Sequence, residues 1–206
     1  MTKLADTTLV QGDDQRYRCD WSGETDELRR YHDEEWGFPV LNDRHLFEKL
    51  CLETFQCGLS WRTVLNKRPA LREAFADFDW QRMAAFTETD SKRLLANPAI
   101  IRHPGKINAV LNNARQMPSI LAEFGSLARF LWRFEPDENT LPPPRSQTVS
   151  AESKALAKAL KQRGWRFVGP TTAYAFLQSM GMINDHVEGC CIRSQVAQAR
   201  AALIRP

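Results

Sequence analysis

Two cysteines and two histidines stand at spacings that suit a metal ion. Cys19 and His32 have twelve residues between them, and His186 and Cys190 have three, a spacing that puts the second pair on one side of a helical turn or tight loop. Two thiolates and two imidazoles form a tetrahedral set of the kind zinc takes. The set leaves no open position for water or substrate, so such a site is structural and does no chemistry. Roughly 150 residues separate the pairs, which excludes a small zinc finger. The ion would instead clamp the N-terminal segment to the C-terminal one, and closing so long a loop restricts the unfolded chain. Taken singly, Cys190 reads equally as a buried small hydrophobe and His186 as a hydrogen-bonded core residue, and Cys51 and Cys191 are read that way. Asp185, beside His186, is a candidate to orient its ring.

A second constellation concentrates aromatic rings near acids: Trp21, Tyr31 and Trp36, then Glu53 and Trp61. Flat rings on both sides of an extruded nucleobase supply about 1–3 kcal/mol of stacking per base, and a carboxylate accepts hydrogen bonds from an exocyclic amine. The competing reading of each ring is plain core. A third feature is Val168-Gly169-Pro170-Thr171-Thr172, a glycine-proline turn opening into an apolar helix. Backbone N–H groups and the positive dipole end of a helix bind phosphate there without a side chain. An ordinary interhelical turn is the alternative. Lys158, Lys161, Arg163 and Arg166 flank it and favour a DNA backbone, though a solvated helix face accounts for them too.

The elements that must position these residues read as helices. Asn42 and Asp43 cap a segment with Leu46, Phe47, Leu50, Cys51 and Phe55 at helical spacing, which leaves Glu53 off the apolar stripe. Gly58 breaks it, Ser60 caps the next helix through Leu65, and Pro69 starts another turn toward Phe75. Asp79 and Asp90 head short helices, and 104–124 reads as a long one broken near Pro118. After a proline-rich extended connection over 135–148, Ser150 caps a lysine-rich helix stopped by Gly164, and the turn and the helix Ala173 to Met180 follow. Alternating strand patterns are almost absent, so the expected fold is all-α.

The chain of 206 residues is 43% hydrophobic, enough for a sizeable core. No apolar run approaches the roughly 18 residues that span a bilayer, and the polar start is unlike a signal peptide, so a cytoplasmic protein is expected. Five cysteines are an odd, uneven set, pointing to free thiols or metal ligation and away from a disulfide framework. A net charge of +3 is compatible with nucleic acid and does not demand it.

The segments Arg18-Cys19-Asp20-Trp21, Tyr31-His32-Asp33-Glu34-Glu35-Trp36-Gly37, Cys51-Leu52-Glu53, Gly58-Leu59-Ser60-Trp61, Ile100-Ile101-Arg102-His103, Gly105-Lys106-Ile107, Phe167-Val168-Gly169-Pro170-Thr171-Thr172 and Asn184-Asp185-His186-Val187 follow one family's order. The sequence resembles the 3-methyladenine DNA glycosylase I family, a branch of the helix-hairpin-helix glycosylases. The resemblance implies a helix-hairpin-helix fold with zinc on Cys19, His32, His186 and Cys190. It implies that Glu53 is the catalytic carboxylate and contacts the amine edge of the lesion base, that Tyr31 and Trp61 stack on that base, and that Trp21 lines the pocket. It also implies that Val168, Gly169, Thr171 and Thr172 grip DNA. The partners so implied are double-stranded DNA containing alkylated adenine and free 3-methyladenine as product, with a monomeric enzyme and no membrane. Other helix-hairpin-helix glycosylases carry a catalytic aspartate where this chain has Asn184.

The sequence departs from the family at Thr54, where a glycine is common, and at Cys57, where a small alanine is usual. Residues 1–16 read as a disordered tail, 17–191 as a glycosylase domain of two helical lobes with its hairpin near 164–181, and 192–206 as an extension with the spacing of a short amphipathic helix. Two other readings compete: a relative that binds a modified base without cleaving it, and a zinc-dependent DNA-binding regulator. The second lacks the basic stripe and the arginine- or glutamine-rich recognition helix it would need.

Overall fold

The computed structural model describes residues 8–206, and these are mostly helical with one small sheet. In chain order come the strands β1 (Leu9–Gln11) and β2 (Tyr17–Cys19), then α1 (Asp26–Glu34), α2 (Asp43–Gln56), α3 (Trp61–Ala74), α4 (Trp80–Ala84), α5 (Glu88–Ala96), α6 (Pro104–Phe124), α7 (Leu127–Trp132), α8 (Ala151–Gln162), α9 (Pro170–Ser179) and α10 (Arg193–Ala202). Among the described residues no helix is long and apolar enough to cross a membrane. The chain divides into two compact units. The first comprises 8–39, Pro136–Thr148 and Leu177–Arg205; the second is Val40–Glu135 with Val149–Phe176. The proline-rich stretch, expected as a bare connection, thus belongs to the first unit.

In that first unit the expectation of a purely helical fold gives way to an antiparallel pair, with Leu9 opposite Cys19 and Gln11 opposite Tyr17. The expected disordered tail is likewise corrected over 8–16, which form β1 and its turn; residues 1–7 lie outside the described residues. The cause is Arg18. Its buried guanidinium grips Asp14 with bonds of 2.8 and 2.7 Å, closing the turn, while Leu9 packs against the apolar cluster around Cys19. Helix α1, which the apolar patterning does not single out, starts at Thr25, whose hydroxyl accepts from Leu28 N at 3.2 Å. Helix α10 lies in the C-terminal extension and buries Val196 and Arg200.

The second unit follows the expected caps. Side chains of Asn42, Ser60, Asp79 and Ser150 accept from backbone N–H groups of His45, Thr63, Gln81 and Ser153 at 2.9–3.2 Å. Asp90 is not itself a cap: it sits in the first turn of α5 and reaches back to the backbone of Thr87, which is. Neither internal proline breaks its helix. Pro69 lies within α3, and Pro118 within an α6 that runs on to Gly125, where φ of 82° ends it. Interior proline costs about 3 kcal/mol, but Ala114, Met117 and Ile120 around it are fully buried and their packing holds the helix together.

Helix α2 is the center of this unit, packed against α3, α6 and α7. Every residue from Leu46 to Phe55 is buried, including Glu48, Lys49, Glu53 and Thr54. An apolar stripe with Glu53 outside it was the expectation; burial on all sides replaces it, because three neighbouring helices leave the helix no solvent face. The polar groups it carries must then find partners inside the protein. Glu48 takes 2.8 Å hydrogen bonds from Arg68 Nε and Arg72 Nε. Burial alone would raise its carboxyl, but the Arg72 and Arg68 hydrogen bonds outweigh that and the net shift is downward.

Two predictions follow from these packings. The Glu48 carboxyl is held below its ordinary value of 4.5, so its stabilisation is present above that pH and is lost as pH falls through the lower folded value. Glu48→Gln is expected to cost about 2 kcal/mol near neutrality, with the gap to the parent closing as pH falls below 4.5 in urea titrations. A gap constant from pH 7 to 3 would remove the linkage. Gly181 has φ of 78°, and a Cβ there would meet the Pro39 nitrogen and come within 2.5 Å of the Phe38 carbonyl carbon. Gly181→Ala should therefore cost about 3 kcal/mol, and an unchanged melting curve would contradict that.

Candidate functional site

Cys19, His32, His186 and Cys190 all fall in the first unit and converge there. Strand β2 ends on Cys19, α1 presents His32 in its last turn, and the turn-rich stretch between α9 and α10 carries His186 and Cys190. Their ligand atoms all lie within 4.8 Å of one another. His186 Nδ1 is 3.2 Å from His32 Nε2, Cys190 Sγ is 3.5 Å from each of those nitrogens, and Cys19 Sγ is 3.8 Å from His186 Nδ1. A tetrahedron with metal–nitrogen bonds of about 2.0 Å and metal–sulfur bonds of about 2.3 Å has edges of roughly 3.3–3.8 Å. The four separations, 3.2–3.8 Å, match those edges, so the cluster could hold a metal ion, and Cys19, His32 and His186 are fully buried. A hydrogen bond with Cys19, then those with His186 and His32, draw the Cys190 thiol down toward thiolate, while the same bond and burial hold Cys19 up.

The groups behind these ligands differ from the expectation. His32 Nδ1 faces Asp33 Oδ1 at 2.8 Å, which leaves Nε2 for a metal. Asp33 is held in turn by Arg18, whose Nε and Nη2 reach it at 2.9–3.0 Å. Burial raises the Asp33 carboxyl and the bonds from Arg18 and His32 more than offset it, so it stays below its ordinary range. His186 points Nε2 at the Trp36 carbonyl, 3.0 Å away. Asp185 does not orient that ring. It accepts from Arg145 N at 2.9 Å and Gln178 Nε2 at 2.5 Å, tying two segments of the first unit together, and burial raises its carboxyl despite those bonds. Trp36 and Trp21 pack on the imidazoles, at 4.6 Å from His186 and 5.2 Å from His32. Sequence reasoning quoted Asp33 without giving it a role; its place directly after His32 was the available signal.

Of the expected base contacts, Trp21 and Tyr31 belong to the first unit, with ring centroids 6.2 Å apart. Glu53 and Trp61 belong to the second. There Glu53, 4% exposed, sits near the end of α2, and Trp61 is the first residue of α3. Lys49, one helical turn before Glu53 and equally buried, puts Nζ 2.9 Å from Glu53 Oε1 and 3.4 Å from the centroid of the Trp61 ring. The i,i+4 spacing from Lys49 to Glu53 was the signal that sequence reasoning passed over. Lys106 was also without a role: its amine donates to the Phe55 and Cys57 carbonyls at 2.8 and 2.5 Å, satisfying the C-terminal end of α2. Desolvation lowers its pKa.

The two family departures are accommodated in the second unit. Thr54 is fully buried and its hydroxyl donates back to Leu50 O at 3.0 Å, so it brings no unsatisfied group. Cys57 lies at the surface with Sγ 3.6 Å from Thr172 Oγ1. The turn between α8 and α9 is braced by Asn113, which donates to Arg166 O at 3.0 Å and accepts from Arg166 N at 2.9 Å. Gly169 and Thr171 are exposed, Thr172 is half-buried, and Val168 is buried. Asn184 donates to the Arg193 carbonyl at 3.0 Å.

Comparison with known proteins gives the family. A solved structure of 3-methyladenine DNA glycosylase I superposes with a TM-score of 0.78 at 45% identity, covering 84% of this chain and 98% of that one. A tyrosine variant of 3-methyladenine DNA glycosylase I in complex with 3-methyladenine gives the same score at 33% identity, with 85% and 97% covered. A DNA-3-methyladenine glycosylase of Haemophilus influenzae is 45% identical over 177 residues, 84% of this chain and 96% of the relative. The methyladenine glycosylase family model matches residues 21–194, and the chain belongs to that family.

Proposed function

We propose that this protein is a base-excision repair glycosylase that hydrolyses the N-glycosidic bond of 3-methyladenine in alkylated double-stranded DNA. The carrying observation is a buried carboxylate, Glu53, beside the indole face of Trp61 in a member of the methyladenine glycosylase family. Methylation at N3 makes the adenine of the nucleotide cationic and a good leaving group. The enzyme extrudes that nucleotide, and Glu53 and Trp61 hold the base by charge and stacking. As the bond to the sugar breaks, the base leaves with the electron pair and becomes neutral. Water adds to the sugar carbon and gives up its proton to solvent. Little acid catalysis is needed, which suits Asn184 at the place of the usual aspartate. No lysine lies between Gly164 and Thr172, so no Schiff base forms there and the strand stays uncut.

The helix-hairpin-helix formed by α8, the turn and α9 grips the DNA backbone through the backbone N–H groups around Gly169, Thr171 and Thr172. Cys19, His32, His186 and Cys190 hold one structural zinc, whose binding contributes directly to the stability of the first unit. The enzyme works as a cytoplasmic monomer.

Release of free 3-methyladenine from methylated duplex, followed chromatographically against unmethylated duplex, tests the reaction. Glu53→Gln should lower kcat/KM for release by about 100-fold through weaker capture of the cationic base; a variant with unchanged kcat/KM would take Glu53 out of base recognition. For the metal, Asp33→Asn should weaken zinc retention by roughly 10- to 100-fold in competition with a chromophoric chelator. Equal retention in the two proteins would show that His32 is oriented without Asp33.

A further inference from the structure

An ammonium group already occupies the contacts assigned to the base. Lys49 Nζ lies 3.4 Å from the Trp61 ring centroid and 2.9 Å from Glu53 Oε1. A base stacked on that indole face would put its own atoms about 3.5 Å from the ring, in the volume the ammonium fills. The two occupants exclude each other. They are also alike in chemistry, each a cation set over a π face and beside a carboxylate.

We propose that Lys49 is a built-in competitor for the base site. In the resting protein its ammonium satisfies Glu53 and covers Trp61; an entering base pushes the flexible side chain aside and takes over both contacts. This rests on Glu53 and Trp61 being base contacts. Lys49 keeps a buried carboxylate from standing without a counter-charge between encounters. It also sets a threshold for entry, because every base must first break the Lys49 contacts. A cationic base restores an ion pair and a cation–π contact, whereas a neutral base restores neither. Since Lys49 is absent from both bound states, it weakens both affinities by the same factor and leaves their ratio untouched. Neutral bases turned out of undamaged DNA are thereby kept from lodging in the site.

Two probes test this: 9-methyladenine, which is neutral, and 3,9-dimethyladeninium, a cation whose methyl groups stand for the lesion and the sugar. Lys49→Met removes the charge and keeps the length. By calorimetry, both probes should bind the variant about tenfold more tightly than the parent, with the ratio between them unchanged. Affinities that stay level or weaken overturn the proposal, because Lys49 would then serve to support Glu53. Tightening of one probe alone also overturns it, because the ammonium would then remain beside the bound base. A second measurement needs no variant. Saturating 3,9-dimethyladeninium should raise acetic anhydride labelling of Lys49 several-fold while exposed Lys154 is unaffected, and labelling of Lys49 that does not change overturns the competitor. A protein that releases 3-methyladenine from DNA yet fails these tests loses only the competitor. One that releases none loses the glycosylase reading itself.

Discussion

A helical stretch buried on every side has no water with which to solvate charged side chains, and residues 46–55 of α2 carry three of them. Glu48, Lys49 and Glu53 lie within six successive positions of a helix with no exposed face between Leu46 and Phe55. Each must be paired inside the protein, because an unpaired buried charge costs several kcal/mol. Glu48 is met from α3 by Arg68 and Arg72, which fastens the two helices together. Lys49 and Glu53 are met by each other and by Trp61 at the start of α3. The same rule of internal pairing therefore produces both a structural tie and a reactive-looking carboxylate, about one and a half helical turns apart.

The difference between those two pairs is what makes one of them a candidate site. The Glu48 carboxylate receives a forked pair of bonds from Arg72 and a further bond from Arg68 Nε, a geometry with planar complementarity and little freedom. The Glu53 carboxylate is met by one compact ammonium on a flexible stem, over an aromatic face that attracts any cation. An arginine pair is suited to staying closed, and a lysine pair to being exchanged. The C-terminal end of α2 is meanwhile fixed by the Lys106 amine on the Phe55 and Cys57 carbonyls, so Glu53 stands on a well-anchored backbone.

The first unit solves a different problem, that of joining segments far apart in sequence. Cys19 and His186 are 167 residues apart, yet their ligand atoms are 3.8 Å apart. Around the ligands the chain Asp14, Arg18, Asp33 and His32 runs as a line of charge-assisted hydrogen bonds, so the turn after β1 and one imidazole of the metal set are mechanically linked. That line explains why residues beginning at 8 are ordered although their composition reads as a tail. The Trp36 carbonyl holds the other imidazole, a backbone contact that no residue type could signal.

By itself the sequence determined most of the caps of the second unit and the grouping of Cys19, His32, His186 and Cys190, because these depend on local hydrogen bonds and on side-chain chemistry that spacing displays. It also carried Glu53, Trp61 and the turn from Val168 to Thr172, through resemblance to a family. Only the tertiary structure decided that α2 is buried on all faces, that Pro69 and Pro118 are tolerated, that Asp33 and not Asp185 supports a histidine, and that Lys49 covers Trp61. Each of these turns on which neighbour packs against a given face, and residues brought together from distant positions leave no periodicity in the chain to reveal it.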